Sequence, residues 1–241
     1  ILDNLISQRY NSLFDLPNNK FFFINEDLSK IKISSLPKTE LVVHLAAKTD
    51  AAQSHKFENE FYSNNLAATK NIIKYCKKTN AKLIFASSTS VYGPQSNVVN
   101  ENADKKELNP QSPYAEVKLI EEKLIKSKLN KKKYIILRLG TIYGFSNGIR
   151  FHTAVNKFCF QSSMNQPLTV WKTALHQKRP YLNLNDFNRL IIHIIQNKVK
   201  NNEIYNAVSK NMTVNDILKN IKKIHKVKIK FVNHPIMNQM S

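Results

Sequence analysis

The beginning of the chain alternates short apolar runs with longer segments of helical periodicity. The strand-length runs lie at 21–24, 41–44, 83–85 and 134–137. The last three are β-branched or aromatic and bounded by polar turns, which is typical of buried parallel strands. Segments 58–77 and 113–129 carry helical periodicity. This alternation predicts a doubly wound α/β sheet with right-handed crossovers.

The second predicted helix, 113–129, has a clear start and a predicted buried face. Ser112 precedes Pro113, and proline is well placed at the first helical position. Ile120, Leu124 and Ile125 are predicted to mark the buried face.

The pattern changes near residue 144. Segment 153–161 predicts a helix, 168–171 a strand, and 186–198 and 214–225 amphipathic helices. The second half therefore predicts a separate, smaller part of the fold.

Charge and cysteine content limit the possible partners. The 37 basic and 17 acidic residues give a formal net charge of +20, which can indicate nucleic acid or an anionic surface. The lysines are spread along helices and loops, and the densest run, 131–133, lies in a predicted turn, so we favour a solvated surface and predict no nucleic-acid partner. No apolar run reaches the length of a membrane span, which predicts no membrane partner.

The two cysteines, Cys76 and Cys159, lie far apart and match no metal spacing. We predict that both are small buried residues in a reducing, cytoplasmic compartment, and that the chain holds no metal.

One pair of residues carries candidate chemistry. Tyr114 and Lys118 stand four residues apart on the predicted helix 113–129, so they share one face. A lysine ammonium beside a phenol favours the phenolate. Ser88, delivered from another segment, could pass the proton of a substrate alcohol to that tyrosine. These parts suit oxidation of an alcohol by hydride transfer, although Tyr-x-x-x-Lys alone is a weak signal in a lysine-rich chain.

Five ordered segments surround that pair. They are 41–47 (LVVHLAA), 65–69 (NLAAT), 83–93 (LIFASSTSVYG), 112–118 (SPYAEVK) and 137–144 (LRLGTIYG), with a weaker sixth from 177 to 186. Together they resemble the extended short-chain dehydrogenase/reductase family, in its nucleotide-sugar epimerase/dehydratase branch. The resemblance implies a Rossmann-type doubly wound sheet at 1–145 and a small C-terminal substrate lobe at 146–241. About 180–200 of that lobe is expected to pack back on the Rossmann-type domain.

The family opens with a strand, a glycine-rich turn and a helix that holds a pyrophosphate. The four glycines of this chain, at 93, 140, 144 and 148, all lie far from its beginning. We therefore expect the first βα unit, roughly 30 residues, to be missing from this chain. We expect the 241-residue piece to bind NAD poorly and to aggregate.

The resemblance also assigns residues to the cofactor. Asp3 with Asn4 resembles the acidic position that binds both hydroxyls of the adenosine ribose, where a carboxylate repels a 2′-phosphate and favours NAD over NADP. Asp27 with Leu28 resembles the adenine contact, and a helix cap is the equal alternative.

The remaining cofactor residues follow strands and the predicted helices. They are Leu45, Ala46, Ala47, Asn65, Ser87, Tyr114, Lys118 and Leu139. Small residues after a strand let the backbone approach the pyrophosphate, Asn65 steadies the loop backbone, and Lys118 binds the nicotinamide ribose. His44 is predicted to pack under the sheet rather than to act as a catalyst.

The resemblance assigns Ser88, Thr141, Trp171 and Arg179 to the substrate. Trp171 is expected to stack on the nucleotide base, or else to lie in the core. Arg179 is expected to bind the diphosphate. Two departures, Thr141 for asparagine and Pro180 for aspartate, indicate a distinct subfamily.

The implied function is NAD-dependent epimerisation of a nucleotide-diphospho-sugar through transient oxidation, expected at C4, by a homodimer. Ser88, Tyr114 and Lys118 are the implied catalytic residues. A dehydratase or a 4-keto-sugar reductase remains an alternative, although Thr89 and Ser90 stand where dehydratases carry an acidic pair. A non-catalytic nucleotide-binding or nucleic-acid-binding protein is the alternative from another class.

Overall fold

A computed structural model describes residues 1–14, 16–17, 19–95 and 98–233. Its strands are β1 (Leu2–Asp3), β2 (Ile24–Asn25), β3 (Leu41–His44), β4 (Lys82–Ser88), β5 (Tyr134–Leu139), β6 (Thr141–Tyr143), β7 (Leu168–Trp171), β8 (Arg179–Asn183), β9 (Glu203–Ala207), β10 (Lys210–Met212) and β11 (Ile229–Val232). Its helices are α1 (Ala51–Ser54), α2 (Glu58–Thr79), α3 (Pro113–Lys128), α4 (Ala154–Ser163), α5 (Leu184–Gln196) and α6 (Val214–Lys222).

The chain divides into two compact units. The first comprises Ile1–Arg138 and Val199–Asn206, and the second comprises Leu139–Lys198 and the chain from Ala207 onward. The predicted boundary at 145/146 and the predicted packing of 180–200 stay predictions.

The first unit is built on a four-stranded sheet in the order β3-β4-β5-β9. β3 and β4 run parallel, with Leu41 opposite Lys82. Helices α2 and α3 pack against each other beside this sheet, and their apolar residues share its core with Leu83, Phe85 and Ile136. The mixture of parallel strands and helices confirms the predicted α/β class.

The strand predicted at 21–24 is wrong in extent. The structure has only β2, whose two residues pair in parallel with β1, and Phe22 is largely exposed. The run is apolar but not buried, because β1 pairs with only two residues of this part of the chain.

Helix α3 begins where proline predicts, but its buried face differs from the prediction. Ser112 caps it by accepting a hydrogen bond from the backbone of Ala115. Ile125 is fully buried and Leu124 packs against the core, whereas Ile120 is 39% exposed, so its predicted burial is wrong. Polar residues occupy much of the buried face: Lys118, Glu121 and Glu122.

The second unit has its own core. β8 pairs in parallel with β6 and antiparallel with β10, while β7 pairs in parallel with β11. Strands β7 and β8 share this core with helices α4 and α6. Gly140 precedes β6 at a close approach, because a Cβ there would lie 3.0 Å from the carbonyl oxygen of Pro180.

Cys76 is buried, as predicted, but Cys159 is exposed, so that half of the prediction is wrong. Both are free thiols. Within the described ranges, no group of three or more His, Cys, Asp or Glu side chains is placed to hold a metal. The helices of the described part of the chain are too short or too polar to cross a membrane.

Candidate active site

Ser88 ends the central strand β4 and begins a turn at Thr89–Tyr92. Its Oγ accepts hydrogen bonds from the backbone nitrogen of Ser90 at 3.2 Å and from the Ser90 hydroxyl at 2.8 Å. Ser88 is therefore an acceptor for both groups of Ser90, and among the described residues its own proton is not donated to a partner. Ser90 has this supporting role without having been predicted, since a hydroxyl two residues along a turn is a weak sequence signal.

Tyr114 is the second residue of α3 and is half-buried. Its backbone nitrogen donates to the buried hydroxyl of Ser54 in α1 at 3.3 Å, which ties the first turn of α3 to a second helix. Because α3 packs against β4 and the following turn, Ser88, Tyr114 and Lys118 lie on neighbouring elements of one unit.

Lys118 lies one turn after Tyr114 and is only 3% exposed. Its Nζ is 3.1 Å from Oε2 of Glu121 and 4.6 Å from the ring centre of Phe85 in β4. A buried ammonium needs a partner, and here a carboxylate and an aromatic face supply it.

Glu121 connects Lys118 to two further buried residues. Its Oε1 accepts the hydroxyl of Thr69 from α2, and Thr69 Oγ1 lies 3.1 Å from Nε2 of His44 in β3. We call these four residues, Lys118, Glu121, Thr69 and His44, the Lys118 flank of α3. Thr69 donates its single proton to Glu121, so the ring nitrogen Nε2 of His44 must be the donor to Thr69.

Burial sets the protonation of this flank. Desolvation, with the positive charge of Lys118 added, lowers the pKa of His44 to about 3, so the ring is neutral and the predicted packing role is confirmed. Burial raises the pKa of Glu121 and outweighs the opposing effects of Lys118 and Thr69. Its Oε2 accepts no well-directed hydrogen bond and makes only the ion-pair contact.

The next carboxylate, Glu122, is bound differently. Its Oε1 accepts from Ser87 Oγ at 2.5 Å and from Arg138 Nε at 3.0 Å, and its Oε2 accepts from Arg138 Nη2 at 2.8 Å. Arg138 Nη1 also donates to the hydroxyl of Tyr92 at 2.9 Å. We call Glu122, Arg138, Ser87 and Tyr92 the Arg138 flank.

The Arg138 flank fixes the turn that follows Ser88. The Tyr92 hydroxyl donates to Asn206 Oδ1 at 2.8 Å, and Gly93 has φ +64° and no room for a side chain, since a Cβ would lie 2.0 Å from the carbonyl oxygen of Asn109. Ser87, predicted at the cofactor, has its hydroxyl bound to Glu122 in the core. Sequence reasoning missed Glu121, Glu122 and Arg138 as site-supporting residues, although Arg138 falls in a quoted segment.

The residues assigned to adenosine lie in local turns. The exposed Asp3 accepts the backbone nitrogen of Leu5 at 2.7 Å, and Asn4 accepts that of Ile6 at 3.2 Å. Asp27 accepts the hydroxyl and backbone nitrogen of Ser29, which lower its pKa. Asp27 thus caps a turn rather than the helix that was the alternative, and its contact with adenine stays a prediction.

Leu45 is exposed, while Ala46 and Ala47 are half-buried, in the loop after β3. Asn65 of α2 clamps this loop: it accepts the backbone nitrogen of Lys48 at 2.8 Å and donates to its carbonyl at 3.0 Å. Leu28, by contrast, is buried in the core of the first unit.

The other assigned residues belong to the second unit. They are Leu139, Thr141, Trp171 and Arg179. Trp171 ends β7 and is 36% exposed, which excludes a fully buried core position. Arg179 begins β8, is half-buried and donates to the side chain of Gln177 at 3.1 Å.

Residues 8–207 match the NAD dependent epimerase/dehydratase family. The protein YtcB of Bacillus subtilis (strain 168), described as an uncharacterized UDP-glucose epimerase, is 31% identical over 180 residues. That alignment covers 71% of this chain and 54% of YtcB, so the chain spans about half the length of this relative.

Solved structures show the same fold. The UDP-glucuronic acid 4-epimerase of Bacillus cereus, in complex with UDP-glucuronic acid and NAD, superposes with a TM-score of 0.85 at 26% identity. The match covers 96% of this chain and 77% of that one. The UDP-N-acetylglucosamine 4-epimerase of Methanobrevibacter ruminantium M1, in complex with UDP-N-acetylmuramic acid, gives a TM-score of 0.85 at 25% identity, covering 98% and 77%.

Proposed function

This chain belongs to the NAD dependent epimerase/dehydratase family, and from that premise we propose that it epimerises a nucleotide-diphospho-sugar at C4 with NAD as cofactor. One observation supports the reaction most: Tyr114 and Lys118 occupy one helix that packs against the strand ending in Ser88. The similarity to 4-epimerases of UDP-sugars supports the substrate class.

The residues present fit the cofactor by the chemistry of their side chains. Asp3 presents an exposed carboxylate suited to a ribose diol, and the loop at 45–47 presents small side chains and a backbone held by Asn65. Lys118 is the donor for the second ribose. When bound, NAD supplies the acceptor and the donor of the hydride.

The protein's own residues handle the proton. Tyr114, with Ser88 on the strand against which its helix packs, takes the proton of the sugar hydroxyl and later returns a proton to the same oxygen. Ser88 is suited to pass that proton because its hydroxyl only accepts hydrogen bonds from Ser90 and does not donate to it. Proton removal and return balance, so the product is an isomer of the substrate.

Arg179 and Trp171 support the nucleotide end of the substrate, since a guanidinium fork suits a diphosphate and an indole suits stacking on a base. We assign Thr141 to the sugar. We also propose a cytoplasmic homodimer, which is supported by the family resemblance and by two cysteines that remain free thiols.

A panel of nucleotide-sugars, incubated with purified full-length protein and NAD and separated by chromatography with mass detection, tests the proposal. We expect a product of unchanged mass and no net change in NADH absorbance. A product lighter by one water would identify a dehydratase. In a parallel assay with NADH and a nucleotide-4-keto-sugar, steady NADH consumption would identify a reductase. Tyr114→Phe is the inactive control.

Cofactor choice is tested separately by calorimetric titration of the full-length protein with NAD and NADP. The Asp3 carboxylate repels a 2′-phosphate, so we expect tighter binding of NAD and a smaller difference in Asp3→Ala. Asp3→Asn is the matched control, since it keeps the shape and removes the charge. Equal binding of both cofactors by the unmutated protein would contradict the assignment of Asp3.

A further inference from the structure

The four residues of the Lys118 flank come from three elements, and each is nearly or fully buried. His44 lies on β3, Thr69 on α2, and Lys118 and Glu121 on α3. The lysine one turn after the candidate catalytic tyrosine therefore has its charge paired with a buried carboxylate. Nothing in the Tyr-x-x-x-Lys pattern requires an acid three residues after the lysine.

We propose that Glu121 is a positioning residue that holds the Lys118 ammonium in place and offsets its charge beside Tyr114. The proposal rests on the proposed function, which uses Lys118 for cofactor binding and for favouring the phenolate of Tyr114. Its geometry is the 3.1 Å ion pair to Lys118, with Thr69 donating to the other oxygen of the same carboxylate.

The hydrogen-bond direction along the flank supports this role. His44 donates to Thr69, and Thr69 donates to Oε1 of Glu121, while Lys118 lies at Oε2. Both bonds stabilise the negative charge of Glu121 and leave Oε2 for the ammonium. Thr69 thus binds Oε1 of the carboxylate, while Oε2 contacts the ammonium of Lys118.

The charged and titratable groups around Glu121 are few. Lys118 and Glu122 act on it from α3, and His44 faces the same cluster from β3 through Thr69. His44 is neutral and Glu122 is bound by Arg138, so the main partner of Glu121 is Lys118. Phe85, packed on the ammonium, carries no charge.

The sign of the expected effect follows from electrostatics. A carboxylate near the tyrosine and lysine disfavours a second negative charge, the phenolate. In Glu121→Gln, the ammonium keeps a hydrogen-bond acceptor but loses its countercharge, so it favours the phenolate more strongly. The acidic limb of kcat/KM against pH should then move toward lower pH, by on the order of one pH unit.

The matched variants separate positioning from folding. Glu121→Asp keeps the charge and should restore the unmutated pH profile with a lower kcat. Glu122→Gln changes an equally buried neighbour whose partner is Arg138, so it should lower stability without moving the acidic limb. A superimposable profile for Glu121→Gln, or an equal shift in Glu122→Gln, would overturn the proposal.

A second measurement does not depend on activity. Urea unfolding of Lys118→Met, Glu121→Gln and the double variant forms a cycle in which a direct pair makes the double variant lose less stability than the two single losses added. If the two single losses of unfolding free energy add up to the loss in the double variant, Lys118 and Glu121 do not stabilise each other and the proposal is wrong. If the cycle shows coupling but no nucleotide-sugar is turned over, the ion pair between Glu121 and Lys118 is supported and the proposed function is wrong.

Discussion

The two flanks of α3 present adjacent buried carboxylates with different partners. Glu122 receives two bonds from the planar guanidinium of Arg138 and one from Ser87, so both of its oxygens are satisfied. Glu121 receives Thr69 on one oxygen and the ammonium of Lys118 on the other. Arginine stays charged and binds through a planar fork, whereas lysine is a compact point charge. The first arrangement suits a permanent structural tie, and the second leaves its cation available for chemistry.

Tyr114→Phe should have the largest effect, and it tests whether the side of α3 with Tyr114 and Lys118 serves the reaction while the Arg138 flank serves stability. We expect kcat to fall by roughly two to four orders of magnitude, the usual contribution of a positioned acid–base group, with folding and NAD affinity nearly unchanged. Steady-state kinetics and calorimetry measure both. Tyr92→Phe, which removes a hydroxyl from the Arg138 flank, is the control and should lower stability while keeping kcat within a few-fold. Comparable losses of kcat in both variants would remove the functional distinction.

Arg138→Met tests the structural flank. It leaves the Glu122 carboxylate buried without its cation, which should lower the free energy of unfolding by roughly 3–5 kcal/mol. Urea denaturation measures this loss. The double variant Arg138→Met/Glu122→Leu removes both charges and should recover much of it. If the double variant is no more stable than the single one, the ion pair is not the source of the loss.

The third prediction uses pH, which acts on the Lys118 flank through His44. The pKa of His44 in the folded protein is about 3, below its ordinary 6.5, so the neutral ring stabilises the fold above 6.5. That contribution is lost as pH falls from 6.5 toward 3, at about 1.4 kcal/mol per pH unit.

The difference in urea unfolding between the unmutated protein and His44→Gln, from pH 7 to pH 4, isolates that loss, because the raised pKa of Glu121 contributes the opposite slope to both proteins. His44→Gln keeps a polar group near Thr69 but cannot take up the proton, so its stability should fall less steeply with acid. Tyr92→Phe removes a hydroxyl from the Arg138 flank and leaves both of its charges in place, so it should leave the slope unchanged. A His44→Gln slope equal to that of the unmutated protein would show that His44 takes up no proton on unfolding.

Two hydroxyl deletions give the smallest and most closely matched comparison. Thr69→Val removes the one hydrogen bond that Glu121 accepts from a neutral group and should cost about 1.5–3 kcal/mol. Ser87→Ala leaves Glu122 with both of its bonds from Arg138 and should cost only about 1 kcal/mol. Thermal and urea unfolding of the two variants measure the difference. Equal losses would mean that the two carboxylates depend on their hydroxyl partners to the same degree.

Local sequence patterns were sufficient for most elements of the fold. β3 and β7 have the predicted bounds, and the helix predicted at 113–129 is α3 to within one residue at its end. In these segments the apolar residues repeat with a clear spacing, and α3 also has a clear signal for its first residue, Ser112 followed by Pro113. The run at 21–24 failed because its apolar side chains have no long partner strand to pack beside, which no local pattern records.

The sequence by itself determined the α/β class, the family and the candidate residues Ser88, Tyr114 and Lys118, because these depend on spacing and order along the chain. It could not show that α3 buries Glu121 and Glu122 while Ile120 stays exposed. Hydrophobic periodicity assigns charges to solvent, and these charges are buried only because partners compensate them.

Those partners are distant along the chain. Thr69 lies 52 residues before Glu121, and Arg138 lies 16 residues after Glu122. A buried carboxylate is stable only where tertiary packing delivers its cation and hydrogen-bond donors. The packing of α2, α3 and the sheet therefore decided which carboxylate faces Lys118 and which faces Arg138.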